Sequence, residues 1–295
     1  MPTRDRGLSC MVIVYEGSQW FFDCGEGSQR AVLNSGLGLN KECSFFITHL
    51  HGDHVIGLLG ILQSMAMNKR EKPVKVFGPK GIIEFITMNR AILRFGLTFE
   101  VEIKEVRPGV IFDEKKSKVR VLAARSEHST LSFSFLFEEK EKPGRFHPET
   151  ALKLGIPEGP LWSELQHGQT VKSPKTGKKV TPNQVMDSPR MGKRIGLSGD
   201  TRPSKSLEQF FKKCDVLIFD STYSDANKEN AIENYHSTSR EAAILARRAG
   251  IKKLILTHFS ARYRNVSHLV REAREEFPNT IAAKDMMVYD LSAAS

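Results

Sequence analysis

An apolar stretch, Cys43-Ser44-Phe45-Phe46-Ile47, runs without a break into Thr48-His49-Leu50-His51-Gly52-Asp53-His54. Four potential metal ligands, His49, His51, Asp53 and His54, fall within six residues. This run constrains the fold more than any other feature. Its apolar half reads as a strand, and the residues that follow, from Val55 to Lys69, carry helical periodicity. The polar cluster therefore belongs at a strand-to-helix corner. In extended chain His49 and His51 point to the same side. Gly52 permits a sharp turn, so that Asp53 and His54 can face a second point in space. One short loop can in this way hold two cations a few ångströms apart.

Three further candidates stand just past β-rich runs. His128 ends the run from Lys118, Asp200 ends Arg194-Ile195-Gly196-Leu197-Ser198-Gly199-Asp200, and His258 ends the run from Lys252. A sheet would aim all three at a common rim. Taken singly each is as readily a structural residue; at matching positions they read as ligands. Nitrogen and carboxylate donors without thiolates suit zinc, with manganese or iron as alternatives. Two such ions lower the pKa of a shared water and clamp the oxygens of an in-line displacement at phosphorus. A carboxylate shared between them would fix their spacing, and Asp200 is the natural candidate. The four cysteines, Cys10, Cys24, Cys43 and Cys214, are scattered and form no CxxC pair, which suggests reduced thiols rather than a disulfide framework or a thiolate zinc site.

The rest of the chain repeats one theme: a strand ending in His or Asp, a loop, then a helix. That is an α/β pattern, and strand-end loops are where such folds place their chemistry. Its 295 residues suit one large domain spanning residues 1–295. Residues 143–194 break the pattern, with seven of the thirteen prolines and nine Lys/Arg against four Asp/Glu. Proline removes ladder donors, so this segment is not sheet core. It reads as an inserted basic arm with one short helix around 149–154, or else as a disordered surface loop. The formal charge of +10 favours an acidic partner such as nucleic acid, although a basic soluble protein with no special partner has the same balance. No apolar run is long enough to span a bilayer and no signal-peptide core is present, so a cytoplasmic protein without membrane attachment is expected.

At these residues the sequence resembles the metallo-β-lactamase superfamily, whose signature is HxHxDH, and more closely the ribonuclease Z family. The stretches that carry the resemblance are FFDCGEGSQRA, FITHLHGDHVIGLLGIL, SGDTRPS, YHSTSREAA and LILTHFSARY, from about Thr3 to Asp290. The HST motif followed by THFSARY is the most specific of them. The resemblance implies a four-layer αβ/βα sandwich and a zinc-dependent endoribonuclease that removes the 3′ trailer of precursor tRNA and leaves a 3′-hydroxyl on the tRNA. It implies that His49, His51 and His128 bind one zinc, that Asp53, His54 and His258 bind the other, and that Asp200 bridges them. Asp53 would also accept a proton from the attacking water. His236 of HST would protonate the leaving 3′ oxygen or stabilise the scissile phosphate. Relatives pair this histidine with a glutamate in a HEAT loop; here Phe219-Asp220-Ser221-Thr222 stands there, so Asp220 takes the glutamate's place.

The resemblance further implies a flexible arm that grips the tRNA elbow, with Gly159-Pro160 as its marker pair, and a homodimer in which the arm of one subunit serves the site of the other. It leads one to expect a first strand before a PxKxRN loop; here the chain begins Met1-Pro2-Thr3-Arg4-Asp5-Arg6-Gly7, with Arg4 and Gly7 in place of that Lys and Asn. Arg262 and Tyr263 read as contacts to phosphate or base, or as a salt bridge and a packing ring. Trp162 reads equally as an RNA-stacking ring or as packing within the arm. Three other functions stand beside the main one: a small phosphodiester, thioester or lactam hydrolase of the same fold, a tRNA-binding protein without catalysis, and a general single-strand nuclease. The basic insertion and HST argue against the first, and the filled ligand positions against the second.

Overall fold

The computed structural model describes residues 2–291. It divides into two units, one running through residue 137 and resuming at 194, the other comprising residues 138–193. The first unit opens with a hairpin, β1 (Met11–Tyr15) and β2 (Ser18–Phe22), turned by Glu16 and Gly17 at φ 47° and 80°. Two successive positive φ values match the right-handed twist of the strands they join. Then follow α1 (Ser28–Asn34), β3 (Cys43–Phe46), α2 (Gly52–Met67), β4 (Val74–Gly78), α3 (Ile82–Leu93) and β5 (Val101–Glu105). These strands form a five-stranded sheet in sequence order, antiparallel between β1 and β2 and parallel from β2 onward.

A second sheet starts with β6 (Gly109–Phe112), β7 (Val119–Arg125) and β8 (Phe133–Glu139). The second unit holds α4 (Pro148–Lys153), α5 (Pro160–Gln166) and a small hairpin of β9 (Val171–Lys172) and β10 (Lys179–Val180). The chain resumes with β11 (Arg194–Leu197), α6 (Lys205–Phe210), β12 (Val216–Asp220), α7 (Lys228–Glu233), α8 (Ser239–Ala249), β13 (Lys253–Thr257), α9 (Ser267–Glu276) and β14 (Thr280–Ala282). The second sheet has the order β14-β13-β12-β11-β8-β7-β6, parallel from β11 to β14.

The period of two along the strands builds the layers. Trp20 and Phe22 of β2, Phe46 of β3 and Phe77 of β4 share one core with Val119, Val121, Phe133, Phe135 and Phe137 of the second sheet. Their alternates Phe21, Phe45 and Val76 instead share a core with Leu58, Ile61 and Leu62 of α2 and Ile82 and Ile86 of α3. On the other side Leu217, Phe219, Leu254 and Leu256 pack with Leu207 of α6, Ala242 and Leu245 of α8 and Ala273 of α9. Helices, sheet, sheet, helices: the first unit is the four-layer αβ/βα sandwich. Each fully buried Phe or Leu contributes about 1.5–3 kcal/mol by leaving water, and both faces of both sheets are used.

One backbone contact places the histidine-rich corner. Cys24 N donates to His54 O at 2.7 Å, and Gly57 N donates to Cys24 O at 2.8 Å. The segment after β2 thus lies directly against the first turn of α2. A Cβ on Gly57 would sit 2.0 Å from Gly25 O, and one on Gly25 would sit 2.2 Å from Asp53 O. Only a glycine pair allows this approach, which holds Asp53 and His54 at the end of the sheet.

The second unit has a core of its own, in which Ala151, Ile156, Leu165, Val171, Val180 and Val185 are buried. The rings of Phe146 and Trp162 pack 5.2 Å apart, and Trp162 Nε1 donates to Ile156 O at 3.2 Å. That assigns Trp162 to internal packing. The segment read as an arm or a disordered loop over 143–194 is an ordered unit over 138–193. The one helix expected there is α4; α5 and the β9–β10 hairpin were not expected, the two-residue strands being too short to show a period.

Candidate metal centre

The loops after β3, β7, β11 and β13 bring the expected ligands together in four overlapping groups: His49, His51 and His128; His49, His54 and Asp200; Asp53, His54 and His258; and Asp200, Asp220, His236 and His258. Within the first, His49 Nε2 lies 3.1 Å from His51 Nδ1, and His128 Nε2 lies 3.3 Å from the same atom. Three imidazole nitrogens converge on one point. In the other groups Asp200 Oδ2 is 3.2 Å from both His54 Nε2 and His258 Nε2 and 3.8 Å from His49 Nε2. Asp53 Oδ2 is 3.6 Å from His258 Nε2 and 3.9 Å from His54 Nε2. Asp200 therefore faces both groups.

The far side of each ring settles which nitrogen is bare. Asp23, buried at the end of β2, accepts from Thr48 N and from Thr48 Oγ1, and His54 Nδ1 meets its Oδ2 at 2.7 Å. Thr48 has one hydroxyl proton, and it goes to Asp23. His49 Nδ1, 2.9 Å from Thr48 Oγ1, must therefore be the donor of that pair. The other half of the site repeats this. Asp220, at the end of β12, accepts from Thr222 N and from Thr222 Oγ1, and His236 Nδ1 meets its Oδ2 at 2.8 Å. Thr222 Oγ1 in turn faces His258 Nδ1 at 2.9 Å. His128 Nδ1 donates to Tyr235 O at 3.1 Å. Each of these contacts occupies Nδ1 and leaves Nε2 on the far side of the ring, where His49, His54, His128 and His258 can offer it to a divalent cation.

The donor set fits a metal on a second ground. His54 Nε2 is buried with no well-aligned hydrogen bond, its nearest partner being Asp200 Oδ2 at 3.2 Å, and a buried nitrogen so poorly satisfied is costly unless something else takes its lone pair. Left-handed backbone occurs here as well. Asp23, Tyr235 and His258 hold left-handed φ values of 58°, 58° and 60°, each costing on the order of 1 kcal/mol or more. The carbonyl and ring contacts just described hold them there.

The charges interlock. Burial opposes protonation of His54, but Asp200 and Asp23 outweigh it and raise its pKa well above the ordinary value. Burial would push the Asp200 carboxyl up; His258 and His54 beside it hold it well below its usual range instead. The His258 ring keeps Asp53 low. Burial, helped by neighbouring His54, depresses His49, and burial also lowers His128. A cation entering beside His54 would therefore displace a proton. Burial of His236 likewise disfavours its charge, yet Asp220 and Asp200 prevail and its pKa rises to about 9.

The chain's likenesses agree with this geometry. A family model described as Anti-Pycsar protein Apyc1 matches residues 5–140, and one described as Beta-lactamase superfamily domain matches residues 165–259. Ribonuclease Z of Nitrosopumilus maritimus is 47% identical over 290 residues, covering 98% of this chain and 96% of that one. Ribonuclease Z of Methanosarcina acetivorans is 39% identical over 292 residues, covering 99% and 94%. The chain belongs to the ribonuclease Z family. Among solved structures, the short form of human tRNase Z is 27% identical with a TM-score of 0.71, covering 98% of this chain and 95% of that one. The metallo-β-lactamase fold protein YhfI from Bacillus subtilis, at 16% identity and a TM-score of 0.67, shares the fold.

The remaining expected residues lie as follows. Arg262 is exposed, its guanidinium 4.9 Å from the centre of the Tyr223 ring. Tyr263 is engaged internally: its hydroxyl donates to Asn227 Oδ1 at 2.6 Å and accepts from Ser224 N at 3.0 Å. Its carbonyl, with that of Ser260, accepts from Arg6. Gly159 and Pro160 stand in the second unit, at the N-cap and first position of α5. Asp23, Thr48 and Thr222 went unassigned in the sequence reading. A signal for Asp23 was present, since β2 ends in a lone Asp as other strands end in His or Asp. Thr48 and Thr222 had none, because a threonine reads as an acceptor only once its neighbours are placed.

Against burial, Asp220 beside it raises the His236 pKa from the ordinary 6.5 to about 9, so the folded protein favours the charged ring over that range. A raised folded-state pKa stabilises fully below the unfolded value and loses that contribution as pH rises through the folded one. Thermal unfolding of metal-free His236→Ala should fall furthest below the parent near pH 6, and the gap should narrow on going to pH 10. A gap of constant size would mean that His236 is not held protonated.

Proposed function

We propose that this chain is a metal-dependent endoribonuclease that cuts the 3′ trailer from precursor tRNA and leaves a 3′-hydroxyl on the tRNA. The single observation behind it is the pair of groups His49, His51, His128 and Asp53, His54, His258, joined by Asp200 at 3.8 Å from His49 and 3.2 Å from His54 and His258, in a member of a family whose relatives carry the name Ribonuclease Z. Zinc suits the set best, since all donors are imidazole nitrogen or carboxylate oxygen. Two bound ions would supply an acidified water and neutralise the oxygens of the scissile phosphate.

The chain's own groups do the rest. Asp53 is held ionised by His258 and is only part-buried, so it can accept the proton of the attacking water. His236 keeps Nδ1 on Asp220 and turns Nε2 to the opposite side. Protonated, it donates from Nε2 to the leaving 3′ oxygen, a role worth roughly 10²–10⁴-fold in rate. Asp220 orients it, its shorter side chain reaching the ring at 2.8 Å. Arg262 at the rim is free to meet a phosphate; Tyr263 instead supports the loop that carries it.

The second unit is the tRNA grip. Its β9–β10 hairpin exposes Lys172, Lys175, Lys178 and Lys179 within eight residues, and such a cluster binds phosphates without reading sequence. Gly159 and Pro160 start α5 beside it in sequence and shape that unit. We further infer a homodimer, because α3 leaves Ile83, Met88, Ile92 and Leu93 exposed, more apolar surface than one helix of a monomer ordinarily leaves wet. No helix among the described residues is long and apolar enough to cross a membrane, and we place the enzyme in the cytoplasm with its substrate.

Asp53→Ala should lower trailer cleavage by at least about 10³-fold while tRNA still binds in a filter assay; retained turnover would remove Asp53 from the mechanism. Changing Lys172, Lys175, Lys178 and Lys179 to Glu should raise the KM for precursor tRNA, flatten its salt dependence by about one log unit per lost phosphate contact, and leave bis(p-nitrophenyl) phosphate hydrolysis unchanged. Equal losses on both substrates would make the hairpin structural. Sedimentation should give a dimer for the parent and a monomer for Ile92→Glu; a monomeric parent would refute the dimer.

A further inference from the structure

The SGDTRPS stretch contributes one more residue than the metal centre uses. Arg202, two positions beyond Asp200, is part-buried and meets three other segments. Its backbone N donates to Glu127 O at 2.9 Å, forming an isolated antiparallel bridge next to His128. Its Nη1 donates to the backbone carbonyl of His236. Its Nη1 and Nη2 together grip the Glu241 carboxylate in a two-pronged pair, the first bond at 2.8 Å. Glu241 Oε2 also accepts from Thr238 N at 3.0 Å, closing the capping box that starts α8. Side-chain exposures of 11% and 12% for Arg202 and Glu241 put this pair out of bulk water, where a bidentate charged contact is directional and strong.

We propose that Arg202 is the positioning residue for His236, acting through the main chain while Asp220 acts through the ring. Asp220 holds only Nδ1, while backbone bonds from His236 N to Ala231 O and from Tyr223 N to Ser237 O tether the loop before α8. Arg202 is the side chain that fixes the His236 peptide itself, binding its carbonyl and, through Glu241, the helix start two residues further on. Thr201 helps from the same dipeptide: its carbonyl accepts from Ser237 Oγ at 2.6 Å, and its N donates to Asp220 Oδ2, the oxygen that also holds His236. A lysine at this position would keep the charge but could not donate to Glu241 in a fork and to the carbonyl at once. The sequence reading quoted this arginine within a motif and gave it no task.

This inference rests on the reading of His236 as proton donor to the leaving oxygen, and the test separates the two. Arg202→Gln, Arg202→Lys, His236→Ala and the double variant Arg202→Gln/His236→Ala are assayed on precursor tRNA and on bis(p-nitrophenyl) phosphate, with melting temperature and zinc content measured alongside. The p-nitrophenolate leaving group is weakly basic and needs no proton donor, whereas a ribose 3′ oxygen does. Arg202→Gln should lower kcat on tRNA about 10²-fold, the low end of what proton donation supplies, with KM and zinc content held and the activated ester spared. Arg202→Lys should fall between it and the parent, and the double variant should be no slower than His236→Ala alone. Equal loss on both substrates, or additive losses in the double variant, would overturn the positioning role. A His236→Ala variant slowed equally on both substrates would overturn the proton-donor reading, and the Arg202 inference with it. Should Arg202→Gln fail to fold, Arg202→Lys carries the same comparison.

Discussion

Two buried carboxylates organise this molecule. Asp23 ends a strand of one sheet and Asp220 ends a strand of the other. Each accepts from a threonine hydroxyl that in turn takes the proton of a histidine, and each takes a second histidine directly. The pattern Asp–Thr–His plus Asp–His thus occurs twice, once per sheet. Its effect is the same both times: Nδ1 is occupied and Nε2 is turned inward. Without these contacts each imidazole could take either tautomer and rotate about its side chain, and the centre would lose the fixed lone pairs that a metal site needs.

The sandwich exists to bring those two halves face to face. The aromatic layer between the sheets, with Trp20, Phe22, Phe46 and Phe135 interleaved, sets the spacing from which the strand-end loops extend. Gly25 and Gly57 then let the segment after β2 touch the start of α2, so that a ligand pair and the carboxylate behind it arrive together. His236 differs from the other histidines. It shares Asp220 with the metal half through Thr222, but its loop belongs to the start of α8. The ring is thereby coupled to the centre without being obliged to ligate, which suits a proton donor better than a ligand.

Much of this was legible beforehand, and the reasons are physical. Strand and helix periods repeat over many residues, so the α/β alternation could be read, while the two-sheet sandwich was expected from the resemblance. The histidines and aspartates that the structure brings together could be read because they sit at strand ends in a tight run, or at matching positions after β-rich runs. The pairing of Asp220 with His236 was expected from the resemblance alone, and the ring contact at 2.8 Å supports it. What stayed hidden depends on partners distant in sequence. Thr48 and Thr222 matter only because a carboxylate stands on one side and an imidazole on the other. Arg202 matters because segments around Glu127, His236 and Glu241 meet at it. Tyr263 offered two readings, and only the placement of Asn227 and Ser224 decides for the internal one. The second unit hid its order because its elements are too short to be periodic.

The most direct test is to incubate the zinc-loaded protein with a precursor tRNA carrying a 3′ trailer, with and without chelator, and map both product ends. Cleavage just after the discriminator nucleotide, leaving a 3′-hydroxyl on the tRNA and lost on chelation, is the predicted result. No tRNA cleavage by a folded, metal-replete sample that still hydrolyses bis(p-nitrophenyl) phosphate would contradict it, and would make the centre that of a small-ester hydrolase.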